Sequence, residues 1–149
     1  MPTLLKTKSI YFNDVNLIPQ PGVVKSRKDV PNEIYRIIVS PMTSIVGETF
    51  TKKAAELGLS IASPRFIDKS KKIDLFRIFT ANKNNDKQLF FISIGLNEKE
   101  DDLKYLYNAS GYHNCYLFDI ANGYIPQLKE CISNNDEIIG ISNLMVGNV

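Results

Sequence analysis

The sequence predicts an α/β protein built on a parallel β-sheet. Five short apolar runs alternate strictly with four longer segments in which apolar residues recur at helical spacing. The short runs are apolar at consecutive positions, which is typical of strands that are buried on both faces. Because each strand is followed by a helix, the order indicates parallel βαβ units with right-handed crossovers.

The strands follow an irregular start. Prolines and glycine punctuate the first part of the chain, so we divide it into an irregular segment, 1–35, and a βα region, 36–149. Each predicted strand is a short apolar run that ends at small or polar residues. The five runs are Arg36–Ser40, Leu59–Ala62, Gln88–Ile94, Asn114–Phe118 and Leu144–Val149.

The helices are predicted from apolar residues on one face and from their end signals. Gly58 suits the C-terminus of the first helix. Asn97 followed by Glu100 predicts a capped start of the third helix. The four helical segments are Glu48–Leu57, Asp68–Asn82, Asn97–Asn108 and Tyr124–Ser133.

The composition excludes several classes of function. Of the 149 residues, 44% are hydrophobic and 23% charged, which is ordinary for a soluble protein. With 18 basic and 16 acidic residues the net charge is +2, so neither a nucleic-acid nor a membrane footprint is expected. We interpret Lys69, Lys71 and Lys72 as a solvated helix start. No apolar run is long enough to span a membrane, and a cytoplasmic location is expected.

No catalytic nucleophile and no metal site is evident from the residues. Cys115 and Cys131 lack CxxC spacing and metal partners, so we expect two reduced, partly buried thiols. The single histidine, His113, has no His or Cys at ligand spacing and is expected to be an ordinary strand or loop residue. Asp101 and Asp102 are adjacent in a helix and point in different directions, which favours a solvated face over a carboxylate pair.

Candidate binding residues lie at the carboxyl ends of the strands, where parallel sheets bind ligands. The periodicity does not separate an open sheet from a barrel, but no GxGxxG follows the first strand, against a classical dinucleotide-binding fold. Two of these residues also have a purely structural interpretation. Asp119 could cap the next helix, and Arg65 could form an ion pair at the surface. The strand ends carry Ser40-Pro41-Met42-Thr43, Ser63-Pro64-Arg65-Phe66, Gly95, Asp119-Ile120-Ala121-Asn122-Gly123 and Gly147-Asn148.

These strand ends, together with two N-terminal segments, form a series of motifs. The motifs are Asn13–Pro19 with Lys25–Val30, then Ser40–Met42, Ser63–Phe66, Ile92–Gly95, Asp119–Tyr124 and Met145–Val149. In this order they resemble the IMP dehydrogenase and GMP reductase family. Pro64 stands where that family has His, and Val146 where it has Ala. Asn122-Gly123 is closer to the reductase form, whereas Ser40-Pro41 is closer to the dehydrogenase form.

The resemblance implies a partial TIM barrel, with about five strands and four helices of the eight-fold barrel. It also implies a purine nucleotide substrate and NADP as cofactor, or NAD for a dehydrogenase-like protein. Ser26 and Arg27 would then contact the distal part of the cofactor, and Arg65 would approach it. The residues that would line the nicotinamide ribose are Asp119, Ile120 and Ala121, and those that would touch the nucleotide are Ser40, Met42 and Asn148.

The same resemblance implies catalytic and binding groups that do not match any of the motifs above. The family's nucleophilic Cys, its monovalent-cation site and its phosphate site belong to later strands, and neither Cys115 nor Cys131 matches that Cys loop. The first hypothesis is therefore part of a GMP reductase-like enzyme that needs a complementing C-terminal chain and forms a homo-oligomer, inactive alone. The second is a non-catalytic relic or regulator that binds nucleotide or subunits. The third is a complete small α/β binding protein.

Overall fold

The computed structural model describes residues 37–113, 115–135, 137–139 and 144–147. The predicted irregular segment 1–35, with Ser26 and Arg27, lies outside the described residues, as does Asn148, so the domain division stays a prediction. The described strands are β1 (Ile38–Val39), β2 (Ser60–Ala62), β3 (Phe90–Ile94), β4 (Tyr116–Phe118) and β5 (Leu144–Val146). The helices are α1 (Glu48–Glu56), α2 (Lys69–Asn82), α3 (Glu100–Ala109) and α4 (Pro126–Asn134).

The sheet has the predicted parallel topology. Its strands lie side by side in the order β1-β2-β3-β4-β5, and every neighbouring pair is parallel. The register sets Ile61 beside Phe90 and Ile92 beside Tyr116. Sequential parallel strands with one helix in each connection are the arrangement of a TIM barrel. The five strands form a half-barrel, which confirms the predicted partial barrel.

Both faces of the sheet are buried, and this explains the consecutive apolar residues. Successive side chains on a strand point to opposite faces. On β3, Phe90, Ile92 and Ile94 belong to the core between the sheet and the helices. Phe91 belongs to a second, smaller cluster on the inward face. That inward cluster comprises Ala62, Phe91, Cys115 and Leu117, with Ile38, Leu89 and Met145 packed against it.

Three element boundaries follow from local chemistry. Gly58 has a φ of +82° directly after α1, as predicted for a helix C-terminus. The predicted cap of α3 by Asn97 is wrong, because α3 begins at Glu100 after Lys99 and makes no side-chain cap hydrogen bond. Asp119 does not cap α4, whose N-cap is Ile125 and whose first residue is Pro126, a position that needs no N–H donor.

The lysine run at the start of α2 differs from the prediction at one residue. Lys69 and Lys71 are exposed as expected, but Lys72 is only 3% exposed. Its side chain lies on the helix face that packs on β3, where its ammonium reaches the carbonyl oxygen of Ser93. Lys69 instead forms an ion pair with Asp102 of α3, which is therefore only partly solvated.

Within the described part of the chain, no helix is long and apolar enough to cross a membrane. Among the same residues no group of three or more His, Cys, Asp or Glu side chains is arranged to hold a metal ion. Cys115 is buried and Cys131 half-buried, and both are free thiols.

Candidate functional site at the carboxyl ends of the strands

The site begins where β2 ends. The ladder between β2 and β3 closes with the Ser63 N–H donating to the Phe91 carbonyl at 2.9 Å. The next rung to β3 would use the N–H of Arg65, and among the described residues no such backbone hydrogen bond forms. Side chains then satisfy the backbone of Ser93: its N–H donates to Ser63 Oγ at 3.1 Å, and its carbonyl accepts from Lys72 Nζ at 2.7 Å.

Arg65 lies across the end of β3 and reaches β4. Its Nη1 donates to the Asp119 carbonyl oxygen at 2.7 Å, and its guanidinium stacks 4.7 Å from the centre of the Phe66 ring. The space it crosses exists because residue 95 is glycine: a Cβ on Gly95 would lie 2.7 Å from the guanidinium. Arg65 forms no ion pair with another described residue, and its side chain instead joins the ends of three strands.

Asp119 is held by its backbone on both sides. Its N–H donates to the Ile94 carbonyl at 3.0 Å, and its own carbonyl accepts the Arg65 guanidinium. The side chain is half-buried, and no described residue donates a hydrogen bond to its carboxylate. A fixed backbone with an uncommitted carboxylate can accept hydrogen bonds from the hydroxyls of a ligand.

The other residues predicted around Asp119 differ from one another. Ile120 is 8% exposed and packs into the core between the sheet and the helices, so its side chain is not accessible to a ligand. Ala121 is exposed. At the end of β1, Ser40 and Met42 are both exposed, and the Met42 N–H donates to the Ser40 carbonyl at 2.8 Å. Among the described residues, no hydrogen bond joins Ser40 or Met42 to Arg65 or Asp119.

The cationic side chains of Lys72 and Arg65 lie near each other at the end of β3. Burial lowers the pKa of Lys72, the nearby Arg65 guanidinium lowers it further, and Glu98 and Asp102 act in the opposite direction. The Glu98 carboxylate also accepts the Gly95 N–H at 3.4 Å. The end of β3 is therefore polar and charged, whereas the rest of that strand is apolar.

An open groove lies beside these strand ends. Its volume is about 610 Å³, and it is widely exposed to solvent. It forms between the loop after β3 and one side of α4, which are separated in sequence, so no local pattern indicates it. Its lining residues are Leu96, Asn97, Glu98, Ile125, Gln127, Glu130, Cys131, Asn134 and Asn135.

The two thiols and the histidine have no nucleophilic arrangement. Burial raises the pKa of Cys115 to about 11, and burial, with a smaller effect of Glu98, raises the pKa of Cys131. Both thiols are therefore protonated at neutral pH and poor nucleophiles. His113 lies before β4, at the opposite end of the strands, with its Nε2 2.5 Å from the Phe90 carbonyl oxygen. It is a loop residue, in agreement with the sequence analysis.

Similarity to known proteins was found in sequence and in structure. A GMP reductase of Lactobacillus acidophilus (strain ATCC 700396 / NCK56 / N2 / NCFM) is 25% identical over an alignment that covers all of this chain and 46% of the reductase. The crystal structure of inosine 5′-monophosphate dehydrogenase from Legionella pneumophila matches with a TM-score of 0.60 and 21% identity, over 95% of this chain and 45% of the dehydrogenase. No family model matches the sequence.

The chain therefore spans about half the length of each of these proteins. The structural match shows a similar fold. The sequence match shows that the chain is also similar in sequence to a GMP reductase. These findings confirm the resemblance that the motifs predict: the chain is similar to the N-terminal part of the GMP reductase and IMP dehydrogenase family.

Proposed function

We propose that this chain supplies the cofactor-facing part of a purine-nucleotide oxidoreductase of the GMP reductase type. The reaction would be the NADPH-dependent reductive deamination of GMP to IMP. One observation carries the proposal: Arg65 binds the Asp119 carbonyl across Gly95 and so fixes the backbone that carries a carboxylate to which no described residue donates, at the carboxyl ends of the strands. This is where parallel α/β folds bind ligands.

The residues present fit a nicotinamide cofactor. Asp119 would accept hydrogen bonds from the ribose hydroxyls, the use that carboxylates serve in other dinucleotide sites. The backbone of Ile120 and the exposed Ala121 would continue that contact, and part of an extended polar ligand would lie along the open groove between the loop after β3 and α4. Ser26 and Arg27 would contact its distal part. When bound, the cofactor would supply the hydride.

The nucleotide would be contacted from the first and fifth strands. Ser40 and Met42 are exposed at the end of β1 and free to meet a ligand. Asn148 would face the reaction centre. We therefore propose these three residues as the purine-nucleotide contacts, with specificity for GMP or IMP set outside them.

The chemical step needs groups that these residues do not supply. Neither Cys115 nor Cys131 suits a covalent role, because the pKa of each thiol is raised. We propose that a nucleophilic Cys loop, a monovalent-cation site and a phosphate site come from further strands, on a complementing C-terminal chain or on a continuation of this one. Closure of the barrel in this way, and a homo-oligomer, would cover the outer strands.

Two alternatives have specific support. Ser40-Pro41 resembles the dehydrogenase form, which supports an IMP dehydrogenase-like fragment that uses NAD; Asn122-Gly123 supports the reductase. The raised pKa of both described thiols, Cys115 and Cys131, supports a non-catalytic protein that binds nucleotide or subunits.

The test is reconstitution. The chain is co-expressed with a C-terminal fragment that carries the remaining strands and Cys loop of a GMP reductase, and NADPH oxidation is followed with GMP. The proposal expects a GMP-dependent rate. A soluble complex without any rate would reject it, and NAD reduction with IMP alone would favour the dehydrogenase. NADPH binding to the chain alone, without turnover by the complex, would favour the non-catalytic alternative.

A further inference from the structure

The end of β2 is completed by side chains instead of backbone groups. A parallel ladder repeats every two residues, so the rung after the Ser63 N–H would join the Arg65 N–H to the Ser93 carbonyl. That carbonyl accepts the Lys72 ammonium at 2.7 Å instead. Because a buried carbonyl needs a donor, Lys72 takes the place that the backbone of Arg65 leaves empty.

Lys72 satisfies the Ser93 carbonyl at a high desolvation cost. It is 3% exposed and lies on the helix face that also buries Phe79. Removing an ammonium from water costs more than burying an apolar side chain, and burial accordingly lowers the pKa of Lys72. Glu98 and Asp102 compensate only in part, and Arg65 opposes them. Stability alone therefore does not explain a lysine at this position.

The path of the chain after β2 explains why residue 72 is a lysine. With the Ser93 carbonyl satisfied by Lys72, the chain after Pro64 can leave the sheet while the Arg65 side chain returns over Gly95 to the Asp119 carbonyl. Without Lys72, the unsatisfied Ser93 carbonyl would attract the Arg65 N–H into the ladder. That movement would draw the guanidinium away from the start of the loop after β4.

We propose that Lys72 is a positioning residue: it holds the end of β2 away from β3 so that Arg65 can fix the backbone of Asp119. The consequence for binding rests on the proposed function, since it assumes that Asp119 contacts a nicotinamide cofactor. The effect of Lys72 on the position of Arg65 does not depend on the proposed function. The position of Arg65 and the affinity for the cofactor can therefore be tested separately.

The first measurement follows the Arg65 side chain by NMR in the full chain with isotope-labelled arginine. The chain has four arginines, and the Arg65 signal is assigned by its disappearance in Arg65→Lys. A bound guanidinium rotates slowly, so the wild-type chain should give a distinct, slowly exchanging side-chain signal. In Lys72→Met this signal should broaden or move to the position of a freely rotating guanidinium.

Lys71→Met is the matched control, because Lys71 is the exposed neighbour on the same helix and carries the same charge. Circular dichroism establishes that each variant is folded. If Lys72→Met does not fold, Lys72→Gln is measured in its place with the same expectation. An unchanged Arg65 signal in the folded Lys72 variant, or a freely rotating guanidinium in the wild type, overturns the proposal. A merely structural lysine would change the unfolding midpoint and leave that signal as it is.

The second measurement is NADPH binding by fluorescence titration of the same proteins. Lys72→Met should weaken binding by about tenfold, the size of one lost charged hydrogen bond, and Lys71→Met should not change it. Equal affinities of wild type and Lys72→Met would contradict the positioning role at the cofactor site. If the wild-type chain binds no NADPH, the proposed cofactor role fails, and the Arg65 signal still decides whether Lys72 positions that side chain.

Discussion

The Arg65 guanidinium occupies the space beside Gly95 that a side chain there would fill. A Cβ on residue 95 would lie 2.7 Å from the Arg65 Nη2 atom and 2.9 Å from the guanidinium carbon. The same guanidinium donates to the Asp119 carbonyl from that position. The smallest residue at the end of β3 thus permits a hydrogen bond between the end of β2 and the end of β4.

We expect Gly95→Ala to displace Arg65 and to leave the fold in place. No positive φ requires glycine at residue 95, so an alanine is tolerated by the backbone and the clash falls on the flexible arginine. The free energy of unfolding should fall by about 1 kcal/mol, the size of the Arg65 hydrogen bond that is lost, and NADPH binding should weaken. Denaturant unfolding and fluorescence titration measure the two effects.

Gly47→Ala is the control, since among the described residues nothing beyond its two chain neighbours lies within 4 Å of a Cβ there. It should leave NADPH binding unchanged. Equal binding by wild type and Gly95→Ala would show that the position of Arg65 does not matter for the cofactor.

Asp119→Asn separates the carboxylate from the backbone that carries it. The Asp119 N–H and carbonyl keep their partners in this variant, so the free energy of unfolding should change by less than about 0.5 kcal/mol. NADPH affinity should fall by about tenfold, because an amide accepts the ribose hydroxyls less strongly than a carboxylate. Asp101→Asn, on an exposed helix face, is the matched control. A similar loss in both variants would point to overall charge rather than to a contact.

The order of strands and helices was predictable because the burial of each element determines which of its positions are apolar. β3 is buried on both faces, and its five consecutive buried residues are what the apolar run indicated. The ends of the elements were less predictable. β2 ends at Ala62, shortly before Lys72 replaces the backbone at the Ser93 carbonyl, and α4 begins at Pro126 rather than at Tyr124. These boundaries depend on hydrogen bonds to distant strands or on a single proline, and not on periodicity.

The burial of Lys72 was predictable from the helical spacing of its neighbours. Lys72 is four residues before Phe76 and seven before Phe79, which is the spacing of one helix face. The helical spacing of α2 therefore places Lys72 on the same face as those two phenylalanines. The contact of Arg65 with the Asp119 carbonyl had no such signal, because it joins residues 54 positions apart through a backbone atom.

Thr51→Val should stabilise the protein. Thr51 of α1 is fully buried, and its hydroxyl has no hydrogen-bond partner among the described residues. Valine has the same shape without the unsatisfied polar atom, so we expect the free energy of unfolding to rise by about 1 kcal/mol. Thr49→Val, at an exposed position of the same helix, should change it much less. Urea unfolding compares the three proteins, and a destabilised Thr51→Val would mean that the hydroxyl has a partner in solution.

His113 should make stability depend on pH in mildly acidic solution. Burial lowers the pKa of His113 from 6.5, and the hydrogen bond with the Phe90 carbonyl offsets this only partly. The unfolded chain therefore binds the proton more readily than the folded one. The contribution of His113 is complete above a pH of about 6.5 and is lost as the pH falls through the folded pKa.

His113→Gln removes this dependence, and because His113 is the single histidine, no other imidazole titrates in the range. Glutamine retains an N–H donor for the Phe90 carbonyl. Urea unfolding between about pH 7 and pH 5 should give a falling free energy of unfolding for the wild type and a flatter profile for the variant. Parallel profiles would mean that His113 is hydrated in the folded protein, since a solvated imidazole has the same pKa in both states and contributes no pH dependence.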